Sequence, residues 1–176
     1  MFRYILLVCL IILTIISCRK LEKNIASVPP QQIEHQINFT EKIESLKTLL
    51  KEHPDSLNGW IQLGNYSMDA GLFKDAIVAY EKALSLDPNN VDVRVDLGTC
   101  YREIGNPQKA IEEYKKALKI KPDHANALKN SAVVYSHDLK DKKSAITMLE
   151  NYLKHYPEAP DKIQIASWLA DLKSGK

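Results

Sequence analysis

The chain has 176 residues, 45% hydrophobic and 26% charged, which is the composition of a globular protein with room for one domain and a tail. Its 24 Lys and Arg residues nearly balance 22 Asp and Glu residues, leaving a formal net charge of +2. Nucleic-acid binding depends on concentrated positive charge, so this balance argues against a nucleic-acid partner. Only Cys100 follows the N-terminal region that contains Cys9 and Cys18, so no disulfide is expected in the folded part.

Residues 1–17 are predicted to be a targeting segment rather than part of the fold. Arg3 precedes an apolar run from Tyr4 to Ile16, which is shorter than the about 20 residues of a bilayer-spanning helix. A short apolar run after a basic residue is typical of a secretory signal.

The end of this run, Ile15-Ile16-Ser17-Cys18, resembles a bacterial lipobox, in which an aliphatic and a small residue precede a cysteine that becomes lipidated. The resemblance implies cleavage before Cys18 and acyl chains that hold the protein at a membrane. An uncleaved signal anchor is the alternative, because Arg19, Lys20 and Lys23 favour a cytoplasmic location for that flank. We expect a membrane-anchored protein of the bacterial cell envelope, with its folded domain outside the cytoplasm.

Residues 18–38 are predicted to be a tether. They contain Pro29-Pro30 and show no sustained apolar period. The following segment, 39–54, carries Ile43, Leu46, Leu49 and Leu50 at helical spacing and predicts a capping helix.

From Leu57 onward the sequence repeats with a fixed period. Pro54, Pro88 and Pro122 are 34 residues apart, and Pro157 follows 35 residues later. A period of this size indicates stacked copies of one structural unit, each of which needs its neighbours to bury its apolar face.

The repeated segments resemble the tetratricopeptide repeat, whose outline is W-x-x-L-G-x-x-Y, then Gly, an Ala-centred second helix and Pro. The resemblance implies an all-α, right-handed α-solenoid of helix-turn-helix repeats at 57–90, 91–124 and 125–159, closed by a C-terminal capping helix at 160–173. The first repeat matches at Trp60, Leu63, Gly64, Gly71, Phe73, Ala76, Tyr80, Ala83, Leu84 and Pro88. The second matches at Leu97, Gly98, Tyr101, Gly105, Ala110, Tyr114, Ala117, Leu118 and Pro122.

The third repeat departs from this outline. Leu128 stands where the first repeat has Trp60, and Ser131 stands where leucine is expected. One extra residue falls between positions 137 and 143, and Tyr152 replaces a small alanine. We therefore expect looser or rotated helix packing at this end.

The first helices of successive repeats are expected to line a concave groove. The stripe of each first helix that lies opposite its buried stripe predicts a partner-binding surface that mixes aliphatic with hydrogen-bonding side chains, suited to a docked peptide or helix. Alternatively, the apolar members pack on the ends of the array or on the tether. The predicted groove residues are Asn58, Ile61, Asn65 and Met68, then Asp92, Val95, Thr99 and Arg102, and finally Asn126, Lys129, Val133 and Ser136.

Some tetratricopeptide proteins hold the C-terminal carboxylate of a chaperone with a basic clamp. The positions that match this clamp are Ile61, Asn65, Asp96, Asn126 and Asn130, of which only Asn65 agrees. Asp96 would repel a carboxylate, so this activity is not expected.

The sequence offers no catalytic, cofactor or metal site. Its histidines, at positions 35, 53, 124, 137 and 155, show no metal-ligand spacing, and no nucleophile or phosphate-binding motif occurs. His53, His124 and His155 lie beside prolines, where a structural role at a helix C-terminus is expected.

The sequence therefore predicts a non-catalytic scaffold that binds a protein or peptide partner. One alternative is a self-associating assembly factor in envelope or pilus biogenesis. Another is an accessory protein of cytochrome maturation, although no Cys-x-x-Cys-His motif is present.

Overall fold

The computed structural model describes the backbone of residues 30–174 and the side chains of residues 38–174. The predicted targeting segment, Cys18 and the tether up to residue 29 lie outside these residues. The described part is helical, with no strand, and none of its helices is long and apolar enough to cross a membrane. Its elements are α1 Pro30–Glu52, α2 Leu57–Asp69, α3 Phe73–Leu86, α4 Val91–Glu103, α5 Pro107–Ile120, α6 Ala125–Val133, a π-helical turn Val134–Asp138, α7 Lys142–His155 and α8 Lys162–Ser174.

Contacts divide the chain into two units, Met1–Glu41 and Lys42–Lys176. Of the first unit, the structure describes only residues 30–41, which begin α1. In the second unit α2 packs on α3, α4 on α5 and α6 on α7, and each hairpin packs on the next. The second unit is therefore the all-α solenoid of helix hairpins that the sequence predicts.

Helix α1 begins earlier than the sequence analysis predicts. Residues 30–38, expected to be the end of a tether, are helical. Pro30 is the first helical residue, a position where a missing N–H costs no hydrogen bond and a fixed φ favours the helix. Pro30, which the sequence analysis assigns to the tether, is therefore the start of a helix.

The helices of the first two hairpins approach most closely where a glycine meets a tyrosine ring. A Cβ added at Gly64 would lie 2.4 Å from Tyr80 Cε1, and one at Gly98 would lie 2.5 Å from Tyr114 Cε1. Both rings are buried, with exposed fractions of 0% and 1%. Glycine costs about 1 kcal/mol inside a helix, and the close contact with an aromatic ring offsets that cost.

The third hairpin closes the same space with different residues. Ala132 occupies the glycine position and Leu149 the tyrosine position, and both side chains are fully buried. A methyl group on one helix is thus matched by a shorter side chain on the other, which keeps the packing volume filled.

The first helices of the first two repeats are also tied to the chain segments that precede them. Trp60 Nε1 donates to the carbonyl of Pro54 over 2.8 Å. Arg94, which replaces the tryptophan one repeat later, donates from a guanidinium nitrogen to the carbonyl of Pro88 over 2.6 Å and pairs with Glu113 at 2.9 Å. Two chemically different side chains thereby satisfy the same carbonyl position.

The extra residue of the third repeat is accommodated within its first helix. Val134–Asp138 forms a π-helical turn, and the Leu139 N–H donates to the Val134 carbonyl over 2.9 Å. Lys140 then takes a left-handed conformation with φ of 58°, where the earlier turns have Gly71 and Gly105. The looser or rotated packing that the sequence predicts for this end stays a prediction.

Helices at both ends cover apolar surface. Ile43 and Leu50 of α1 are buried, with exposed fractions of 3% and 4%. On α8, Ile165 is buried and joins a cluster with Leu128 and Leu149. Three further residues of α8 are partly buried and pack against this cluster, namely Trp168, Leu169 and Leu172.

We predict that Gly98→Ala destabilises the protein by about 1–3 kcal/mol, because the new methyl group overpacks the space held by Tyr114. Adding Tyr114→Leu recreates the combination found at Ala132 and Leu149 and should recover most of that loss. Urea unfolding followed by circular dichroism measures both effects. If the double variant were no more stable than Gly98→Ala alone, the contact between glycine and tyrosine would not be the controlling one.

Candidate partner-binding groove

The predicted binding residues lie on the first helices α2, α4 and α6 and on the π-helical turn. We refer to these twelve residues as the first-helix groove. The exposed members are Asn58, Asn65, Asp92 and Asn126. The half-buried members are Ile61, Met68, Thr99, Arg102, Lys129, Val133 and Ser136.

Val95 differs from the other members and does not offer an apolar contact to a partner. Its side chain is 3% exposed and belongs to the main core cluster, against which Ile61 and Met68 pack. The cause is its place in the array, since α4 contacts α3, α5 and α6. The 34-residue period correctly aligns Val95 with Ile61. The helices packed around α4 bury Val95, whereas Ile61 on α2 stays half-buried.

A small cavity with hydrogen-bonding groups in its lining lies where α4, α5 and α6 meet. Its volume is about 100 Å³, and it is lined by Thr99, Arg102, Tyr114, Asn130 and Val133. The Thr99 hydroxyl donates to the Val95 carbonyl over 3.1 Å. It therefore accepts from the Tyr114 hydroxyl at 3.1 Å and from the Asn130 amide at 3.4 Å. Thr99 is thus held in one orientation by three hydrogen bonds.

Tyr114 and Asn130 line this cavity, although the predicted set of twelve does not include them. Tyr114 belongs to the second helix α5, but its ring passes Gly98 and brings the hydroxyl to the groove. The same device occurs one repeat earlier, where the Tyr80 hydroxyl donates to Asn65 Oδ1 over 2.8 Å. Burial raises the pKa of both tyrosines, so both stay neutral hydrogen-bonding groups. The glycine and tyrosine spacing is the sequence signal for them.

Both cations predicted in the groove are paired within the chain. Arg102 Nε donates to Asp138 Oδ2 over 2.6 Å, and this bond raises the pKa of Arg102. Lys129 Nζ lies 2.8 Å from Asp161 Oδ2, and it lowers the pKa of that carboxyl. Both positive charges are therefore already compensated within the chain, and neither needs a carboxylate from a partner.

Asp96 is a half-buried carboxylate of α4. Among the residues whose side chains the structure describes, it has no hydrogen-bond or ion-pair partner. Burial, and after it the charge of Asp92, raise the pKa of Asp96 to about 6; Asp69 adds to the rise and His124 opposes it. A carboxylate in this setting destabilises the fold when it is ionised.

His124 caps the N-terminus of α6, so the sequence-based expectation of a helix C-terminus is wrong for this histidine. Its Nδ1 accepts from the Ala127 N–H over 3.2 Å. A backbone N–H can only donate, so in this neutral ring Nε2 carries the proton and donates to Asp92 Oδ1 over 2.9 Å. His53 and His155 do lie at helix C-termini, after α1 and at the end of α7.

Other features of the described residues offer little chemistry. No group of three or more His, Cys, Asp or Glu side chains is placed to hold a metal ion within residues 38–174. Cys100 is buried, and burial raises the pKa of its thiol to about 12, so it is not a thiolate nucleophile at neutral pH.

Two apolar hollows, of about 330 and 290 Å³, share Trp60 and Leu63 as lining residues. The first lies among α1, α2 and α3, the second lies between α1 and α2, and neither is lined by a groove residue. Val78, which lines the first, is 56% exposed.

Two family models described as tetratricopeptide repeat match residues 67–132 and 127–159 of this chain. The chain belongs to the tetratricopeptide-repeat family. No curated protein sequence matches it.

Similar solved structures share the fold. A crystal structure of MamA protein is 26% identical, with a TM-score of 0.69 over 78% of this chain and 74% of that one. A tetratricopeptide repeat protein from Parabacteroides merdae ATCC 43184 is 22% identical, with a TM-score of 0.68 over 81% of this chain and 59% of that one. The Yersinia enterocolitica type III secretion translocator chaperone SycD is 17% identical, with a TM-score of 0.64 over 69% of this chain and 86% of that one. Family and fold together define a protein–protein interaction scaffold.

We predict that Asp96→Asn stabilises the protein at about pH 8 and has little effect near pH 4. The folded pKa of about 6 lies above the ordinary value of 3.8, so the stability linked to protonated Asp96 is present below pH 3.8 and is lost as the pH rises through 6. Asparagine removes that loss because it cannot ionise. Thermal unfolding across this pH range measures the difference, with the exposed Glu112→Gln as the matched control. A gain that is the same at both pH values would contradict the assignment.

Proposed function

We propose that this protein is a non-catalytic scaffold, held at a bacterial envelope membrane, that binds a peptide or helix of another protein in the first-helix groove. The observation that supports it best is the cavity where α4, α5 and α6 meet, whose hydrogen-bonding groups are fixed by residues from these three helices. Binding costs less when the receptor is already ordered.

The chemistry of the groove suits a polypeptide partner. Half-buried Ile61, Met68 and Val133 provide apolar contacts. Exposed Asn65 accepts from Tyr80 through its oxygen, which leaves its amide group directed to other acceptors. A few apolar anchors among amide and hydroxyl groups match the side chains and backbone of a docked segment.

The membrane anchor is assigned to the first eighteen residues. Arg3, the apolar run up to Ile16 and the cysteine at position 18 together support a lipoprotein signal. Lipidation at Cys18 would hold the repeat domain at the membrane from outside the cytoplasm, where it could recruit a second envelope protein.

The groove is tested by partner capture. We expect the triple variant Ile61→Ser, Met68→Ser and Val133→Ser to lose about 90% or more of the proteins cross-linked to the wild-type chain in membranes, because hot spots concentrate binding energy in a few apolar residues. Quantitative mass spectrometry measures the capture, and circular dichroism verifies that the helices remain.

The matched control is Val78→Ser, which removes an apolar side chain, 56% exposed, outside the groove. It should leave the captured set unchanged. Capture that survives the triple variant, or that is lost on Val78→Ser, would place the interaction elsewhere. Groove-dependent capture of a second copy of this chain would identify self-association as its function.

The anchor is tested by intact mass. For the chain produced in a bacterium with its own N-terminus, we expect loss of residues 1–17 and addition of a diacylglycerol at Cys18. Cys18→Ser should accumulate as the unprocessed chain. A wild-type mass equal to that of the full unmodified chain in the membrane fraction would instead identify an uncleaved anchor.

A further inference from the structure

In and around the first-helix groove carboxylates outnumber cations, with Asp92, Asp96, Asp138 and Asp161 against Arg102 and Lys129. Its two cations, Arg102 and Lys129, are compensated by Asp138 and Asp161 at 2.6 and 2.8 Å. Among the described residues, no positive charge pairs with the half-buried Asp96, which lies on the same helix as Arg102. A partner that enters the groove therefore meets paired cations and an unpaired carboxylate.

Asp96 occupies the same place at the first repeat junction as Asn130 does at the second. The cavity residues Thr99, Arg102, Tyr114, Asn130 and Val133 have repeat equivalents 34 positions earlier, which are Asn65, Met68, Tyr80, Asp96 and Thr99. The hydrogen bond from Tyr80 to Asn65 reproduces that between Tyr114 and Thr99. The charge of Asp96 also raises the pKa of Tyr80, which is consistent with this placement.

The chemistry of the two equivalent positions is opposite. The amide of Asn130 donates to Thr99 and so completes the hydrogen bonding of its junction. The carboxylate of Asp96 can only accept when it is ionised, and no hydrogen bond from a described side chain reaches it, including from the amide nitrogen of Asn65, whose oxygen accepts from Tyr80. The first junction therefore lacks a donor that the second junction supplies from within the chain.

No neighbouring side chain provides this donor. Asp92 and Asp69 are also negative, and both charges raise the pKa of Asp96. His124 uses its Nδ1 to cap α6 and its Nε2 hydrogen on Asp92, so neither ring nitrogen donates to Asp96. Because no described side chain donates to Asp96, this carboxylate is open to a donor from outside the chain.

The surroundings of Asp96 define the rest of the ligand. Ile61 and Met68 are half-buried, pack against the core cluster and leave apolar surface at the same junction. A segment that fits here combines a cationic side chain with apolar neighbours. A free C-terminal carboxylate does not fit, since it would meet a like charge.

We propose that the occupant of the first-helix groove is a basic amphipathic segment of a partner protein, whose Lys or Arg side chain pairs with Asp96 while its apolar side chains contact Ile61 and Met68. This inference rests on the proposed function of the groove and specifies the class of partner. The pairing supplies the missing donor at the first junction and compensates the half-buried charge.

Selection of peptides tests the inference. A phage-displayed library of random peptides of about 12 residues is selected on the full-length chain in a non-ionic detergent and counter-selected on the triple groove variant. We expect the recovered peptides to carry Lys or Arg next to apolar residues. Calorimetry on one synthetic peptide should show about tenfold weaker binding to Asp96→Asn, and a similar loss when its Lys is replaced by Gln.

The two replacements should not add when combined, since each removes the same pair. Glu112→Gln removes a negative charge outside the groove and should leave affinity unchanged. Groove-dependent peptides that are neutral or acidic, or whose affinity is the same for Asp96→Asn, would overturn the inference while leaving the scaffold function intact. Recovery of peptides that bind the triple groove variant equally well would count against the groove itself.

Discussion

The close contact between a glycine of one helix and a tyrosine of the next is the constraint on which this molecule depends. At Gly64 and Gly98 no Cβ fits, because the ring of Tyr80 or Tyr114 occupies its place. The contact sets the distance between paired helices and buries the aromatic ring. It also carries the tyrosine hydroxyl through the hairpin to the opposite side, where it orients Asn65 or Thr99. Packing and recognition thus use one residue pair.

Much of the fold could be predicted from the sequence because each recurring residue type has a specific structural task. Glycine at the close contact, glycine in the left-handed turn and proline after the second helix recur at 34-residue intervals, and together they indicate the hairpins. The start of α1 was not predictable in the same way, since Pro30 stands outside the repeat and proline can either begin or end a helix.

The binding residues could be predicted by position but not by environment. Periodicity places Val95 in the groove, yet its burial results from helices on both sides of α4. The charge balance depends on Asp138 and Asp161, which lie in the π-helical turn and in the connection before α8, where the period no longer applies. The two ion pairs join residues that are 36 and 32 positions apart, and one partner of each lies outside the repeat pattern, so they are seen only in the structure.

The difference between Asp96 and Asn130 distinguishes the two repeat junctions of the groove. At the first junction the carboxylate of Asp96 has no hydrogen-bond or ion-pair partner among the described side chains, and at the second the amide of Asn130 is already engaged. A bound polypeptide that pairs its cation with Asp96 is held at the first junction, and sliding it by one repeat would bring that cation to Arg102. The register of a bound chain along the first helices would follow from a single carboxylate.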